Sequence, residues 1–315
     1  MPTNPTKPGA AHAPAWAGRR PRHERRTLTY KTVGSCEIHA DLYRPEGEAS
    51  VPLVFWIHGG GLIGGSRRDL LPRHRNAYLS LGAAVLAIDY RLAPETPLPR
   101  IVEDVQDAYE WSATTAADEL GIDSTRIALI GHSGGGYLTL LIAVAAQPRP
   151  RAAVTFSGYG DILGDWYTQP SPHHLRRARV SERVARKGLG HGEVSEADIL
   201  ERWNFYVYCR QQGAWPREVS GLDPVADRDA LDAYCPVRHV SSSFPPALLL
   251  HGDADKDVPH QESVAMVEAL QAAGVDAELI SVPRCGHVFE QVGTAQAQEA
   301  FARVLEFLRT RLELR

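Results

Sequence analysis

The strongest structural signal in this chain is the segment Ile127-Ala128-Leu129-Ile130-Gly131-His132-Ser133-Gly134-Gly135-Gly136-Tyr137. Its apolar start predicts a short buried strand, its glycines allow a sharp turn, and residues 138–146 continue as an apolar helix. In such a strand, turn and helix, glycines two residues before and two after Ser133 relieve crowding, so that the hydroxyl stands above the sheet edge. A glycine-rich turn with a purely structural role is the alternative. The context favours Ser133 as a nucleophile.

Other short apolar runs predict the strands that flank this segment. Runs without polar interruption are typical of parallel strands that helices cover on both faces. The predicted strands are residues 53–57, 83–88, 127–130, 152–156, 247–250 and 278–282. Helical spacing predicts helices over residues 101–117 and 301–312, while residues 28–31 and 37–43 alternate like an antiparallel hairpin. We therefore predict an α/β fold with a mostly parallel central sheet and helices on both faces.

The largest interruption of this pattern predicts the domain organisation. Residues 159–245 separate two predicted strands by far more than an ordinary loop, so we expect a cap inserted before the last two strands. The core then comprises residues 27–158 and 246–315. Residues 1–26 are rich in proline and end in a basic run, which predicts a flexible solvated arm. A transit peptide is the alternative, but its amphipathic helix would be broken by the prolines.

The composition argues against several function classes. Of 315 residues, 43% are hydrophobic and 23% charged, and the net charge is −4, which is typical of an ordinary globular protein. This balance gives no reason to expect nucleic acid as a partner, and no apolar run approaches the roughly 20 residues of a membrane span. The four cysteines include no CxxC pair, so neither a zinc site nor a disulfide scaffold is indicated. We expect a cytoplasmic protein and leave a homodimer open.

A second glycine-rich segment follows the predicted strand at residues 53–57, and it reads His58-Gly59-Gly60-Gly61. Cleavage of an ester creates a tetrahedral oxyanion, which backbone without side chains can approach closely with N–H donors. We predict that Gly60, Gly61 and Gly134 form such an oxyanion hole, with His58 in a structural role. A phosphate-binding loop is the alternative, but the lysine and Ser/Thr of a Walker motif are missing. A merely tight loop is also open.

A nucleophilic serine needs a base and an orienting acid, and in this fold class they follow in the order Asp or Glu, then His. Asp253, Asp255 and Asp257 come after one predicted strand, and His287 comes after the next. Both loops follow strand ends, where α/β folds place catalytic groups. We predict His287 as the base and Asp255 as the acid, with Asp253 and Asp257 shaping the turn. A surface or packing histidine is the alternative for His287.

These motifs resemble those of the hormone-sensitive-lipase-like esterases and their carboxylesterase relatives. The resemblance extends from about Tyr43 to His287 without the cap, and it includes the segment Asp89-Tyr90-Arg91-Leu92-Ala93-Pro94-Glu95. It implies an α/β-hydrolase fold in which this segment packs beneath the oxyanion hole, with Arg91 and Glu95 as structural supports. The chain departs from the family at His132 and Gly134, where an acid and an alanine are usual. These departures point toward acyl-esterase and arylformamidase-like relatives, with His132 in a structural role.

Aromatic residues of the predicted cap are the candidates for substrate binding. Trp203, Tyr206 and Trp215 can line an apolar acyl or aromatic pocket. The alternative is that they form the small core of the cap itself. Arg210 or Arg217 is a further candidate, for a substrate carboxylate.

The predicted function is hydrolysis of a small to medium carboxylic ester through an acyl-enzyme on Ser133. The partner is a small-molecule ester, and the mechanism requires neither a metal nor an organic cofactor. Cleavage of an amide, lactone or thioester and acyl transfer use the same residues and stay open. A non-catalytic ligand-binding homologue is the alternative from another class, and the presence of Ser133, Asp255 and His287 argues against it.

Overall fold

An eight-stranded sheet forms the centre of the molecule. The strands are β1 His23–Val33, β2 Cys36–Pro45, β3 Val51–Ile57, β4 Ala84–Ile88, β5 Ile122–His132, β6 Ala152–Phe156, β7 Ala247–Gly252 and β8 Ala277–Val282. Their order in the sheet is β1-β2-β4-β3-β5-β6-β7-β8. This computed structural model describes residues 21–47 and 50–314. β1 and β2 form an antiparallel hairpin that joins β4, and the pairs from β4 through β3 to β8 are parallel.

The first strand begins earlier than the sequence predicts. β1 starts at His23, so the predicted flexible arm of residues 1–26 is wrong for its last residues. The basic run joins the sheet because it meets a buried carboxylate: Arg25 Nη2 donates to Asp41 Oδ2 at 2.9 Å, and Thr27 Oγ1 donates to Asp41 Oδ1 at 2.7 Å. The rest of the predicted arm, residues 1–20, lies outside the described residues.

Helices cover both faces of the sheet, as predicted, and together with the strands they form two apolar layers. Alternate residues of β3 point to opposite layers. Phe55 belongs to one apolar cluster, where its ring centroid lies 5.7 Å from that of Tyr109, whereas Trp56 belongs to the other, which includes Tyr78 and Phe301. These helices are α1 Pro72–Ser80, α2 Leu98–Ala113, α3 Ala117–Leu120, α4 Gly134–Ala143, α10 His260–Ala272, α11 Phe289–Val292 and α12 Ala295–Arg311. Within the described ranges, no helix has the length and apolarity needed to cross a bilayer.

The segment between β6 and β7 is the one for which the sequence predicts a cap, and we call it the cap below. It consists mainly of short helices: α5 Asp165–Thr168, α6 Glu182–Ala185, α7 Ile199–Gln212, α8 Trp215–Ser220 and α9 Arg228–Asp232. Ion pairs fasten it to the core, since Arg202 of α7 donates to Glu95 at 2.8 Å and Arg91 donates to Glu193 of the cap at 2.6 Å. Arg91 and Glu95 therefore join the core to the cap.

Candidate active site

A sharp turn after β5 presents Ser133 at the edge of the sheet. Ser133 has φ 53°, in the left-handed region that strains a residue with a side chain. The turn is held because Ser133 N–H donates to Phe156 O at 2.8 Å. Glycine is required at position 131, since a Cβ there would lie 2.1 Å from the carbonyl oxygen of Gly135. The glycines of this motif thus let α4 pack tightly against the end of β5.

Three loops at the carboxyl ends of β5, β7 and β8 bring Ser133, Asp255 and His287 into one hydrogen-bonded chain. The Oγ of Ser133 lies 2.8 Å from Nε2 of His287, and Nδ1 of His287 lies 2.7 Å from Oδ2 of Asp255. The other carboxylate oxygen of Asp255 accepts the backbone N–H groups of Asp257 and Val258 at 2.8 and 3.1 Å. The orientation of the carboxylate is therefore fixed from both sides.

The electrostatics of this chain favour an ionised Asp255 beside a basic His287. Burial opposes ionisation of Asp255, but hydrogen bonds from His251 and His287 outweigh it and lower the pKa of the carboxyl. Burial also disfavours the charged form of His287, yet its hydrogen bond to Asp255 and the charge of Asp257 raise the pKa of the ring to about 9. In the neutral ring, a proton on Nδ1 leaves the Nε2 lone pair facing the serine hydroxyl.

The glycine loop after β3 lies against the turn that carries Ser133. Gly60 and Gly61 have φ 96° and 61°, which glycine adopts without strain. A Cβ on Gly134 would lie 3.1 Å from the backbone nitrogen of Gly61, so the two backbones are in close contact. The cap supports this loop, because Nε1 of Trp215 donates to the Gly61 carbonyl at 3.0 Å.

Tyr90 supports the same loop from below. Its ring stacks on His58 at 4.1 Å between centroids, and its hydroxyl donates to the His58 carbonyl at 2.9 Å. The segment that begins at Asp89 therefore packs beneath the glycine loop, as the family resemblance implies.

A cavity of about 420 Å³ opens above Ser133, and we call it the Ser133 cavity. Trp203 and Tyr206 line it, together with His287, Gly60 and Gly61. Trp215 does not line it: this side chain is fully buried and stacks on Tyr167 at 4.2 Å between centroids. The prediction that Trp215 lines the substrate pocket is therefore wrong. Its side chain supports the loop that contains Gly61 instead.

Sequence reasoning missed three polar residues at this site. His251, at the end of β7, is buried with Nε2 3.1 Å from Asp255. Asp257, which the sequence analysis assigns to the turn, lines the Ser133 cavity. Its Oδ1 accepts a hydrogen bond from the hydroxyl of Tyr206 at 2.9 Å. Glu290 also lines the cavity, with Oε1 3.3 Å from Nε2 of His132. Glu290 follows His287 by only three residues in the chain, and this proximity was the available sequence signal.

A mostly parallel sheet with serine at a strand-to-helix turn, and with aspartate and histidine on later strand ends, defines the α/β-hydrolase class. Comparison with known proteins agrees with this class. Residues 54–291 match the model of a protein family whose description is "alpha/beta hydrolase fold". This chain belongs to that family.

Individual proteins and solved structures are also similar to this chain. An ethyl acetate hydrolase of Pseudomonas putida is 31% identical over 90% of this chain and 82% of its own length. The non-reducing polyketide synthase Preu3 of Preussia isomera is 27% identical over 95% of this chain, which spans 14% of that protein. The crystal structure of an esterase from Pyrobaculum calidifontis is similar with a TM-score of 0.66 and 26% identity, covering 94% of this chain and 87% of that one.

Proposed function

We propose that this chain is a serine esterase that hydrolyses small to medium carboxylic esters through an acyl-enzyme on Ser133. The observation that carries the proposal is the hydrogen-bonded chain from Ser133 through His287 to Asp255, of which Ser133 and His287 line the Ser133 cavity. The similarity to a protein named ethyl acetate hydrolase supports the same chemistry.

In the first half-reaction, Oγ of Ser133 attacks the ester carbonyl while Nε2 of His287 takes the hydroxyl proton. The carbonyl oxygen becomes an oxyanion, to which the N–H groups of Gly60, Gly61 and Gly134 donate. Collapse of this intermediate breaks the bond to the alcohol oxygen, and His287 returns the proton to the departing alcohol. Asp255 holds the imidazole in the required tautomer and stabilises its charged form.

In the second half-reaction, water attacks the acyl-serine and gives its proton to His287. A second oxyanion forms in the same place and collapses to release the carboxylic acid. His287 then returns the proton to Oγ of Ser133, so that the enzyme is regenerated.

The dimensions of the Ser133 cavity favour a substrate with a compact apolar or aromatic group. Its volume of about 420 Å³ lies at the lower end of the range usual for small-molecule sites. Trp203 and Tyr206 of the cap form part of its wall. We expect short acyl chains to be preferred over long ones.

Covalent labelling tests the proposal directly. A fluorophosphonate probe should label the protein. Ser133→Ala should abolish the labelling without changing the midpoint temperature of thermal unfolding. Hydrolysis of nitrophenyl esters should then fall as the acyl chain lengthens. An unlabelled but folded wild-type protein would contradict the esterase function, and faster turnover of matched amides or thioesters would favour those reactions instead.

A further inference from the structure

The Ser133 cavity has an acidic lining. Asp69, Asp257 and Glu290 contribute to its wall, and none of the described residues that line it is lysine or arginine. His74 and His132 also line the cavity, and burial lowers the pKa of both rings, that of His74 to about 3. Both rings are therefore neutral near pH 7, so they do not neutralise the acidic side chains.

The acidic residues differ in how their oxygens are paired. Oδ2 of Asp69 accepts the backbone N–H of Ser66 at 2.8 Å. Oδ1 of Asp257 accepts a hydrogen bond from the hydroxyl of Tyr206 at 2.9 Å and lies 3.4 Å from Nε2 of His174. Both carboxylates thus already have donors from the protein.

Glu290 is the exception. Its side chain is only 6% exposed, and Oε1 lies 3.3 Å from Nε2 of His132. Oε2 is buried and has no hydrogen-bond partner within residues 21–47 and 50–314. A buried acceptor without a donor carries the full cost of desolvation, so a donor presented from the cavity would be bound favourably.

The surroundings favour a cation as that donor. Charge-assisted hydrogen bonds to a carboxylate are stronger than neutral ones, and aromatic faces attract cations. Trp56, Phe156, Trp203 and Tyr206 line the same cavity as Glu290. Among the described residues of the lining, the cation available near neutral pH is protonated His287, and its charge is paired with Asp255.

We propose that the Ser133 cavity selects esters that carry a protonated amine, and that Glu290 is the specificity-determining residue that accepts the ammonium N–H. This inference rests on the esterase function proposed above. The ammonium group belongs either to the acyl part or to the alcohol part of the ester, and the chemistry of its recognition is the same in both cases.

Two isosteric substrate pairs test the inference. The alcohol arm compares 2-(dimethylamino)ethyl acetate, protonated near neutral pH, with 3-methylbutyl acetate. The acyl arm compares the nitrophenyl ester of 3-aminopropanoic acid with nitrophenyl butanoate. In at least one arm we expect the charged ester to have a kcat/KM about tenfold or more above its neutral isostere, mainly through KM.

Glu290→Gln keeps the shape of the side chain and removes its charge. In this variant the ratio of kcat/KM for the charged ester to kcat/KM for its neutral isostere should fall to about one, whatever the change in kcat on the neutral isostere. A Glu290 that only supports His132 would instead lower kcat equally on both members of a pair, and an unchanged ratio would overturn the inference. So would the absence of any preference in the wild-type protein in both arms.

Glu306→Gln is the matched control, because Glu306 is 73% exposed on α12 and its loss removes the same charge far from the cavity lining. The control should retain the wild-type preference. Fluorophosphonate labelling separates the two proposals, since a labelled enzyme without preference contradicts only the role of Glu290.

A measurement on the wild-type protein covers the case in which Glu290→Gln does not fold. Protonated 3-(dimethylamino)propan-1-ol and its isostere 4-methylpentan-1-ol are compared as competitive inhibitors of nitrophenyl butanoate hydrolysis. The amine should have the lower inhibition constant despite its greater polarity. A lower constant for the neutral alcohol would overturn the inference.

Discussion

The core and the cap contribute to the same cavity, but different forces position their residues. In the core, Ser133, Asp255 and His287 stand at the ends of parallel strands whose side chains fill two apolar layers. In the cap, mostly short helices are fastened by ion pairs such as Arg202 with Glu95. The chemistry of the site thus follows from strand order, whereas the shape of the cavity depends on tertiary contacts between distant segments.

Asp255→Asn should have the largest effect of the substitutions considered. We expect it to lower kcat and to leave KM nearly unchanged. The amide can no longer hold the proton on Nδ1 of His287, so we expect kcat to fall by about 10³- to 10⁴-fold. KM for nitrophenyl butanoate should change little, because the side chain of Asp255 is fully buried and the residue does not line the cavity. Steady-state kinetics measure both constants, and a fall of less than tenfold would contradict the role of Asp255.

Arg202→Met tests the fastening of the cap. The side chains of Arg202 and Glu95 are 4% and 6% exposed, so removal of the arginine leaves Glu95 buried without its ionic partner. Loss of one partner of a buried pair costs about 3 kcal/mol or more of unfolding free energy. Urea unfolding measures this loss, and limited proteolysis should cut first within the cap.

The double variant Arg202→Met/Glu95→Leu is the control for this prediction. It removes both charges, so part of the lost stability should return. An additive loss in the double variant would mean that the two side chains act independently of each other.

Trp215→Phe should have a smaller effect, on the support that the cap gives to the glycine loop. The ring stacking with Tyr167 is kept, but the N–H donated to the Gly61 carbonyl is lost. We expect kcat to fall by about threefold to tenfold, as one neutral hydrogen bond contributes roughly 1 kcal/mol. Kinetics on a neutral ester measure the effect, and a change confined to KM would instead favour direct contact with substrate.

The same contrast decides how much could be predicted from the sequence. The strands and the hydrogen-bonded chain of Ser133, His287 and Asp255 follow from local patterns: apolar runs, glycine spacing and chain order. Among three nearby aspartates, the sequence choice of Asp255 agrees with its 2.7 Å contact to His287. Local rules succeed here because parallel strands bring their carboxyl ends to one edge of the sheet.

The failures all involve long-range partners. The basic run at residues 19–26 predicts a solvated arm when it is considered alone. Arg25 nevertheless belongs to a strand, because it donates to the buried carboxylate of Asp41 on the neighbouring strand. Tryptophan is a residue type typical of binding pockets, so the sequence suggests that Trp215 contacts substrate. Its actual partner is the carbonyl of Gly61, which is distant in the sequence. Glu290 lies in a short helix, and only the packing of His132 reveals that it faces the cavity.

Asp257 joins the two regions, because it belongs to a core loop but accepts a hydrogen bond from Tyr206 of the cap. Its Oδ2 lies 3.9 Å from Nε2 of His287, and its negative charge helps to raise the pKa of that ring to about 9. His287 must be neutral to accept the serine proton. The raised pKa therefore predicts that kcat/KM increases with pH up to the alkaline range.

Asp257→Asn should move this limb of the pH profile toward lower pH, since removal of the negative charge makes the protonated ring less stable. The effect should be the smallest of those predicted, because the hydrogen bond to Asp255 also holds the pKa of His287 high. Asp229→Asn, on the exposed surface of α9, is the control for net charge and should leave the limb in place. The measurement is kcat/KM for nitrophenyl butanoate across the neutral and alkaline range. Coincident limbs for wild type and Asp257→Asn would mean that Asp257 shapes the loop without tuning the base.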